Sequence, residues 1–225
     1  MNNIFDRSIG LLGKENFGLI QDKVIVVFGL GGVGGTALEA LARTGFKHFI
    51  LIDFDKVDPS NLNRQILYTQ KDIGKNKVEA AKERILSINE EADIQIFNFK
   101  AQDFDFNQKI DFIVDAIDDV NGKLYILSKA QEKDIPHIMS LGMANRFDPS
   151  KVKIAKLNQT HSDPLAKKLR YMVKKQGLNT ANINVAISEE LPQKNGEILY
   201  STMMVPSSAG LSIAKFILES IIYTK

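Results

Sequence analysis

Short apolar runs and helical stripes alternate along the first half of the chain. The β-branched runs VIVVFG (24–29) and KHFILID (47–53) predict strands, and the intervening TALEALARTGF has apolar residues at helical spacing. The alternation continues through KNKVEAAKERILSIN, ADIQIFNF, KIDFIVDAID, NGKLYILSKAQEKD and IPHIMS. Strands that alternate with helices of about 10–15 residues indicate βαβ units. We therefore predict an α/β fold with a Rossmann-like, mostly parallel sheet and helices on both faces.

The rhythm changes from about Asp148. KVKIAKLN and NINVAIS predict strands, and DPLAKKLRYMVKKQG predicts a basic amphipathic helix. EILYSTMMVPSSAGLSIAKFILESII predicts a strand that runs through Pro206 into a last helix, which Lys215 and Glu219 make amphipathic rather than membrane-spanning. We expect these C-terminal strands and helices to extend the first sheet. The prediction is one domain, with a core over 1–145 and appended elements over 146–225.

The composition excludes several function classes, mainly because the chain has no cysteine. The 225 residues include 29 Lys and Arg against 27 Asp and Glu, and the net charge of +2 neither requires nor excludes a nucleic-acid partner. The chain has no cysteine, which excludes disulfides, thiolate zinc sites and a cysteine nucleophile. The segment MNNIFDRSIGLLGKENF lacks the pattern of a signal peptide, so the expected location is the cytoplasm.

A glycine-rich turn follows the first predicted strand. Gly29, Gly31 and Gly34 satisfy G-x-G-x-x-G before a helix, and Asp53 ends the next strand. Such glycines let the backbone approach phosphate, and the acid accepts hydrogen bonds from ribose hydroxyls. Alone, the turn favours NAD or FAD, with a purely structural tight turn as the alternative.

The residues that follow Asp53 change this interpretation. DFDKVDPSNLNRQILYTQKDIGKNKVEAAKERI is richer in polar groups than a dehydrogenase requires beside its ribose site. Cleavage of ATP at the α-phosphate needs fixed cations, and we select Arg64 and Lys77 as candidates. The alternative is that Lys75 and Lys77 only solvate the start of a helix.

The segment DAIDDV (115–120) ends a predicted strand, where open α/β sheets bind ligands. Asp118 either holds Mg²⁺ or caps the next helix, and Asp119 is a candidate for that cap. Lys123, one turn later, faces either the same cleft or water.

Taken together and in this order, GLGGVG, LIDFDKVDPSNLNRQ, GKNKVEAA and DAIDD resemble the adenylating enzymes related to ubiquitin activation. The resemblance implies a ThiF-type domain that uses Mg·ATP to adenylate a substrate carboxylate. It also implies that Arg7 reaches into the neighbouring subunit's site, so a homodimer is expected. Catalytic roles would fall to Arg7, Arg64, Lys77 and Asp118, with Asp118 on the magnesium side. The nucleotide-binding residues would be Gly29, Gly31, Gly32, Gly34, Asp53, Asp55, Asn61, Arg64, Gln65, Lys77 and Asp118.

Three further blocks, ALARTGF, SLGMANRFDPSKVKIAKLNQTHSDPLAKKLR and VPSSAGLSIAKFI, look like the tRNA threonylcarbamoyladenosine dehydratases within that superfamily. The resemblance implies ATP-dependent cyclisation of N6-threonylcarbamoyladenosine at position 37 of ANN-decoding tRNAs. Because the attacking group already belongs to the substrate, no enzyme thiol is needed, in agreement with the absence of cysteine. Ser207 and Ser208 occupy a region where some members carry a cysteine, and we predict no sulfur-transfer partner.

Two other functions stay open at this point. One is a sulfur-carrier-protein adenylyltransferase of the thiamine or molybdopterin type, and the other is a non-catalytic or redox protein that binds NAD. A preference for NAD over Mg·ATP would favour the latter. Exchange of pyrophosphate that depends on a protein with a Gly-Gly tail would favour the former.

Residues 146–225 are expected to supply the tRNA-binding and dimer elements. Their basic residues form a local surface suited to phosphate, although a solvated helical face is the alternative for any one lysine. Phe147 either stacks on a base or belongs to the core, His137 is expected to be structural, and Ser207 and Ser208 are expected to cap the last helix. The candidate tRNA-binding residues are Arg146, Lys156, Lys167, Lys168, Arg170, Lys174 and Lys175.

Overall fold

The computed structural model describes residues 3–161, 163–193 and 199–223. The helices are α1 (Asp6–Leu12), α2 (Lys14–Gln21), α3 (Gly32–Thr44), α4 (Lys77–Leu86), α5 (Val120–Glu132), α6 (Pro164–Lys175) and α7 (Met204–Ile222). The strands are β1 (Val24–Phe28), β2 (His48–Ile52), β3 (Asp93–Phe97), β4 (Phe112–Asp115), β5 (His137–Ser140), β6 (Val152–Lys156) and β7 (Asn184–Ser188).

All of these strands form one sheet in the order β3-β2-β1-β4-β5-β7-β6. Every neighbouring pair is parallel except β6 and β7, which are antiparallel. After β1 the chain proceeds to one side through β2 and β3, and then returns to the other side of β1 at β4. In open α/β sheets such a reversal leaves a crevice at the carboxyl ends of the strands, where ligands bind.

Successive residues along each strand face opposite sides of the sheet, and both sides are buried. Ile25 and Val27 of β1 belong to a cluster with helices α3 and α7, whereas Val26 and Phe28 pack with residues of α5 on the other side. A run of consecutive apolar residues is what a strand covered on both faces requires. The predicted fold class, with helices on both faces and added C-terminal elements, is confirmed.

Helix α7 packs against α3 within the core. A Cβ atom added at Gly210 would lie 2.5 Å from the carbonyl oxygen of Val33, so the two helices approach closely. Of the helices that the structure describes, α7 is the one with the length and apolar composition to cross a membrane, and 44% of it is buried inside the protein. One face of α7 is buried in the core through Val205, Ala209, Ile213 and Ile217, which agrees with the expected amphipathic helix.

Two predictions about the C-terminal region are wrong. Residues 199–203 are not a strand, residues 204–206 already belong to α7, and the other part of the predicted strand, 197–198, lies outside the described residues. Ser207 and Ser208 lie inside the first turns of α7 and do not cap it: Ser207 Oγ accepts a hydrogen bond from Thr36 Oγ1 (3.2 Å). Ser208 Oγ donates to the carbonyl of Pro149 (3.1 Å), so both hydroxyls join α7 to its neighbours.

Candidate nucleotide-binding site

The glycine turn connects β1 directly to α3. Gly29 has a φ of +85°, and a Cβ atom there would lie 2.7 Å from the carbonyl oxygen of Ala116. At Gly34 a Cβ atom would lie 1.9 Å from the carbonyl oxygen of Gly29, because the first turn of α3 packs onto the turn. No side chain caps the helix at Gly31. The N-terminus of α3 therefore presents backbone N–H groups in the geometry that binds phosphate.

Asp53 follows β2 and fixes the neighbouring backbone. Its Oδ2 accepts a hydrogen bond from Leu30 N (2.7 Å), and its Oδ1 accepts one from Asp55 N (2.9 Å). Burial raises the pKa of this carboxyl group, and the charge of Lys77 opposes that shift. Each oxygen keeps a further lone pair, which is what hydrogen bonding to a ribose hydroxyl requires.

One cleft of about 650 Å³ opens at the carboxyl ends of β1, β2 and β4. It includes every predicted nucleotide-binding residue except Gly34, which lies behind the turn and supports it. Gln65 is 6% exposed, and its Oε1 has no hydrogen-bond partner among the described residues. The predicted residues that line the cleft are Gly29, Gly31, Gly32, Asp53, Asp55, Asn61, Arg64, Gln65, Lys77 and Asp118.

The two candidate cations differ in exposure. The Lys77 side chain is 8% exposed, and its Nζ lies 2.7 Å from Oδ2 of Asp55. Arg64 is half-buried and its Nη1 donates to the carbonyl of Ser60 (2.7 Å). Lys75 does not line the cleft and pairs with Glu83 at 2.7 Å. The alternative that the lysine only solvates the start of α4 therefore fits Lys75, but it does not fit Lys77.

The two acids of the DAIDD segment have different roles. Asp119 caps α5, since its carboxylate accepts hydrogen bonds from Asn121 N (3.3 Å) and Gly122 N (2.7 Å). This confirms the predicted cap. Asp118 is exposed in the cleft, and its carboxylate has no hydrogen bond or ion pair with any described residue. Its oxygens are free for a ligand.

Lys123 faces neither the cleft nor water. Its side chain is fully buried, and its Nζ lies 2.8 Å from Oδ1 of Asp115, which is 1% exposed. The same carboxylate oxygen accepts a hydrogen bond from Ile117 N (3.3 Å). Both alternatives for Lys123 are wrong, because the pair lies beneath the loop that carries Asp118 and holds it in place.

A group of cleft residues was missed from the sequence. Phe54 is 56% exposed, and the Nζ atom of Lys100 lies 5.7 Å from its ring centroid. Such a distance permits a cation–π interaction. Lys100 and Phe99 follow β3, which is the neighbour of β2, so the position of FNFK after a predicted strand could have identified them. The cleft residues that were missed include Phe54, Phe99, Lys100, Gln102 and Asn121.

The predicted basic surface is only partly present. Arg146 is 5% exposed, so its assignment as a tRNA contact is wrong: its guanidinium is held by backbone carbonyl groups and by Asp163. Arg170 is half-buried and donates to Thr160, and Lys156 in β6 is half-buried. Four lysines of α6 are exposed beside Tyr171, namely Lys167, Lys168, Lys174 and Lys175.

Three further sequence predictions concern residues outside the cleft. Phe147 is 59% exposed and therefore not part of the core. Burial lowers the pKa of His137, and its Nδ1 lies 3.4 Å from the carbonyl oxygen of Ile135, as suits a structural histidine. Arg7 is exposed on α1 and does not line the cleft of its own chain. Its action in a neighbouring subunit stays a prediction.

Together, the doubly wound sheet, the phosphate-binding turn and the cation-lined cleft define a nucleotide-binding α/β protein. A model of the ThiF family matches residues 5–219, and the chain belongs to that family.

Three similar proteins are informative. A tRNA threonylcarbamoyladenosine dehydratase of Bacillus subtilis is 35% identical over 84% of this chain and 75% of its own length. The crystal structure of the E. coli tRNA N6-threonylcarbamoyladenosine dehydratase in complex with ATP is 31% identical, with a TM-score of 0.92, covering 97% of this chain and 93% of that one. A probable molybdopterin-synthase adenylyltransferase of Porphyra purpurea is 37% identical, but over only 58% of this chain and 34% of its own length. The chain spans between 65% and 75% of the three bacterial dehydratases it matches.

Proposed function

We propose that this chain is an ATP-dependent tRNA threonylcarbamoyladenosine dehydratase. The observation that carries the proposal is one cleft that combines a phosphate-binding turn, the buried cation Lys77 and the unpaired carboxylate of Asp118. The similarity to dehydratases extends over more of the chain than the similarity to the adenylyltransferase, which favours this function over carrier-protein activation. The substrate would be N6-threonylcarbamoyladenosine at position 37 of ANN-decoding tRNAs.

The reaction requires two displacements. A carboxylate oxygen of the threonyl group attacks the α-phosphorus of ATP, and the bond to pyrophosphate breaks. A nitrogen or oxygen of the same nucleoside then attacks the activated carbonyl carbon, loses its proton and expels AMP, which takes the carboxylate oxygen with it. The sum is the loss of one water from the nucleoside. Since nucleophile and electrophile belong to one molecule, ring closure has a high effective molarity.

The chain's own residues position the phosphates and neutralise their charge. The N-terminus of α3 would hold phosphate oxygens, while Lys77 and Arg64 would offset the charge that develops on the α-phosphate and pyrophosphate. Lys77 is poised for this because its partner Asp55 is 50% exposed and can be hydrated when Nζ turns to a phosphate. Asp53 would accept hydrogen bonds from the ribose, and Phe54 and Lys100 would lie on the base side.

The donor set of the cleft fits Mg²⁺ bound together with ATP. No group of three or more His, Cys, Asp or Glu side chains suited to a metal occurs in the part of the chain that the structure describes. One free carboxylate, Asp118, is nevertheless present in the cleft, and Mg²⁺ in nucleotide sites is commonly held by one or two carboxylates with phosphate oxygens and water. Bound there, the ion would supply charge stabilisation to the phosphates.

The tRNA would dock on the exposed face of α6. Lys167, Lys168, Lys174 and Lys175 provide positive charge for backbone phosphates, and Tyr171 and Phe147 are exposed aromatic rings on which unstacked loop bases could stack. We further propose a cytoplasmic homodimer in which the partner's copy of α1 brings Arg7 to the cleft. No sulfur-transfer partner is required by this chemistry.

The direct test is incubation with ATP, magnesium and threonylcarbamoyl-modified tRNA, followed by mass spectrometry of the nucleosides. The expected result is loss of the mass of one water from the modified nucleoside, together with one AMP per product. ATP–pyrophosphate exchange that requires a Gly-Gly-tailed carrier and ignores tRNA would establish the adenylyltransferase instead.

Asp118→Asn and Asp119→Asn make a matched pair for this assay. Asp118→Asn should abolish product because the free carboxylate is lost. Asp119→Asn should be active because asparagine caps a helix as well as aspartate does. Wild-type turnover by Asp118→Asn would show that the magnesium-side role belongs elsewhere.

A further inference from the structure

Arg146 is a buried arginine whose hydrogen bonds join three segments at the carboxyl edge of the sheet. Its side chain is 3% exposed. Nη1 donates to the carbonyls of Gly142 (2.6 Å) and Ala144 (3.1 Å), and Nε donates to the carbonyl of Glu190 (2.9 Å). Nη2 lies 3.2 Å from Oδ2 of Asp163. A planar guanidinium can serve partners in several directions at once, whereas a lysine ammonium at the same place could not.

Asp163 connects this arginine to the basic helix. It is the N-cap of α6, and its Oδ1 accepts a hydrogen bond from Ala166 N (2.9 Å) while Oδ2 faces Arg146. The carboxylate is 3% exposed, so neither oxygen is free to water. One buried carboxylate therefore sets the start of α6 relative to the loop 141–148.

A second set of contacts connects the loop 141–148 to the nucleotide cleft. Asn145 has a φ of +59°, and its backbone N–H donates to the carbonyl of Tyr200 (2.7 Å), while Tyr200 N donates to Asn145 Oδ1 (2.8 Å). The next residue, Ser201, accepts a hydrogen bond from Asn63 Nδ2 at its carbonyl (2.8 Å). Asn63 directly precedes Arg64 of the cleft. A continuous series of hydrogen bonds and peptide bonds thus connects Arg64 of the cleft to the start of α6.

We propose that Arg146 is a positioning residue that holds α6 in a fixed relation to the nucleotide cleft. This inference rests on the proposed function. The lysines of α6 capture tRNA, and the Arg146–Asp163 pair determines where the modified nucleotide of that tRNA meets the α-phosphate. Replacement of a buried ion pair by apolar residues of similar volume is often neutral or stabilising, so net stability alone does not account for this pair, and its contacts to three segments point to positioning.

The test compares Asp163→Asn and Arg146→Lys with a matched control. Asp163→Asn keeps an oxygen for the cap and removes the charge that faces Arg146. Arg146→Lys keeps the charge and removes most of the carbonyl contacts. The control is Arg84→Lys, which weakens the pair that Arg84 Nε makes with Glu39 (3.0 Å) between α4 and α3, away from the cleft.

Measurements are the Kd for ATP by calorimetry, kcat and KM with modified tRNA, and Tm. Both test variants should lose about tenfold or more in kcat at saturating tRNA, because small misplacements of reacting groups are costly. Their ATP affinity should stay close to that of the wild type. The control should lower Tm by less than the two test variants, because Arg84 is part-exposed, and should leave kcat unchanged.

The outcomes separate the two proposals. A wild-type protein that binds ATP and tRNA but forms no cyclic product would overturn the proposed function. With an active wild type, kcat values of both variants close to the wild-type value, with only Tm lowered, would show a purely structural pair. Loss of ATP binding in step with kcat would also contradict the inference, since Arg146 would then shape the nucleotide site. If Arg146→Lys fails to fold, Asp163→Asn decides the question alone.

Discussion

Replacement of Lys77 by methionine should separate catalysis from stability. Lys77 begins α4 with a side chain that is 8% exposed, and its Nζ lies 2.7 Å from a carboxylate oxygen of Asp55. Methionine preserves an unbranched chain of similar length and a comparable helix propensity. The substitution therefore removes the ammonium charge with little disturbance of the packing around it.

The expected change in stability is small because two effects oppose each other. The lost ion pair has a half-exposed partner, Asp55, and such pairs contribute at most about 1 kcal/mol. Against this, the folded protein no longer has to bury an ammonium group. The expected loss of catalysis is much larger: removal of one fixed group that stabilises transition-state charge costs about 3–4 kcal/mol, or roughly 10²–10³-fold in kcat.

The assay is AMP release in the presence of modified tRNA, with urea denaturation to measure the free energy of unfolding. Lys75→Met is the control, because Lys75 lies outside the cleft and pairs with the exposed Glu83. It should retain the wild-type rate. The reasoning would be refuted by near-wild-type turnover of Lys77→Met, or by an unfolding free energy lowered by more than about 3 kcal/mol, the range of a broken structural pair.

Three further predictions test the turn, the basic helix and a carboxylate outside the cleft. Gly34→Ala should weaken ATP binding measured by calorimetry at least about tenfold, since its Cβ would lie 1.9 Å from a carbonyl oxygen of the phosphate turn. Lys167→Ser combined with Lys168→Ser should weaken tRNA binding and lower the slope of log Kd against log salt by up to about 2, with ATP binding unchanged. Glu39→Gln should reduce the loss of unfolding free energy at acid pH. Burial acts to raise the pKa of Glu39, but hydrogen bonds from Arg84 and Arg43 outweigh burial and lower this pKa from its ordinary value. The stabilisation is present above the unfolded pKa and is lost as pH falls through the folded one.

Each of these three has a contradicting result, and the first also has a control variant. Gly18→Ala, on α2 and with open space around the missing Cβ, should leave ATP affinity unchanged, and wild-type affinity of Gly34→Ala would contradict the steric argument. An unchanged salt slope in the double lysine variant would place the tRNA elsewhere. Urea denaturation between about pH 3 and pH 7 measures the Glu39 effect, and parallel stability curves for wild type and Glu39→Gln would contradict it.

The nucleotide cleft could be predicted from the sequence because its parts are contiguous segments at strand ends. The glycine turn, Asp53 and Asp118 each follow a strand, and a parallel sheet brings those ends to one edge. The cap at Asp119 could be predicted for the same reason, since a cap depends on the two or three residues after it. Local chemistry and sheet topology are sufficient for such features.

Arg146 could not be placed in this way. Its partners Asp163 and Glu190 are 17 and 44 residues away in the chain, and nothing near Arg146 in sequence indicates that its charge is enclosed. A charged residue in a basic segment is expected to be exposed unless a partner is known. Lys123 is a similar case, since its burial depends on how α5 packs against the end of β4. Long-range packing decides where these cations lie.

Lys77 and Lys123 are both buried near the carboxyl edge of the sheet, but their partner carboxylates differ in exposure, and this difference bears on function. Lys123 is paired with Asp115 at 0% and 1% exposure, so exchanging its partner would leave a carboxylate buried and uncompensated. Lys77 is paired with Asp55, whose side chain is 50% exposed and can return to water. Only the second pair can open at low cost when an anion arrives. The solvation of the partner carboxylate, rather than the burial of the lysine, therefore distinguishes a cation that can act on ATP from one that fixes the loop beside it.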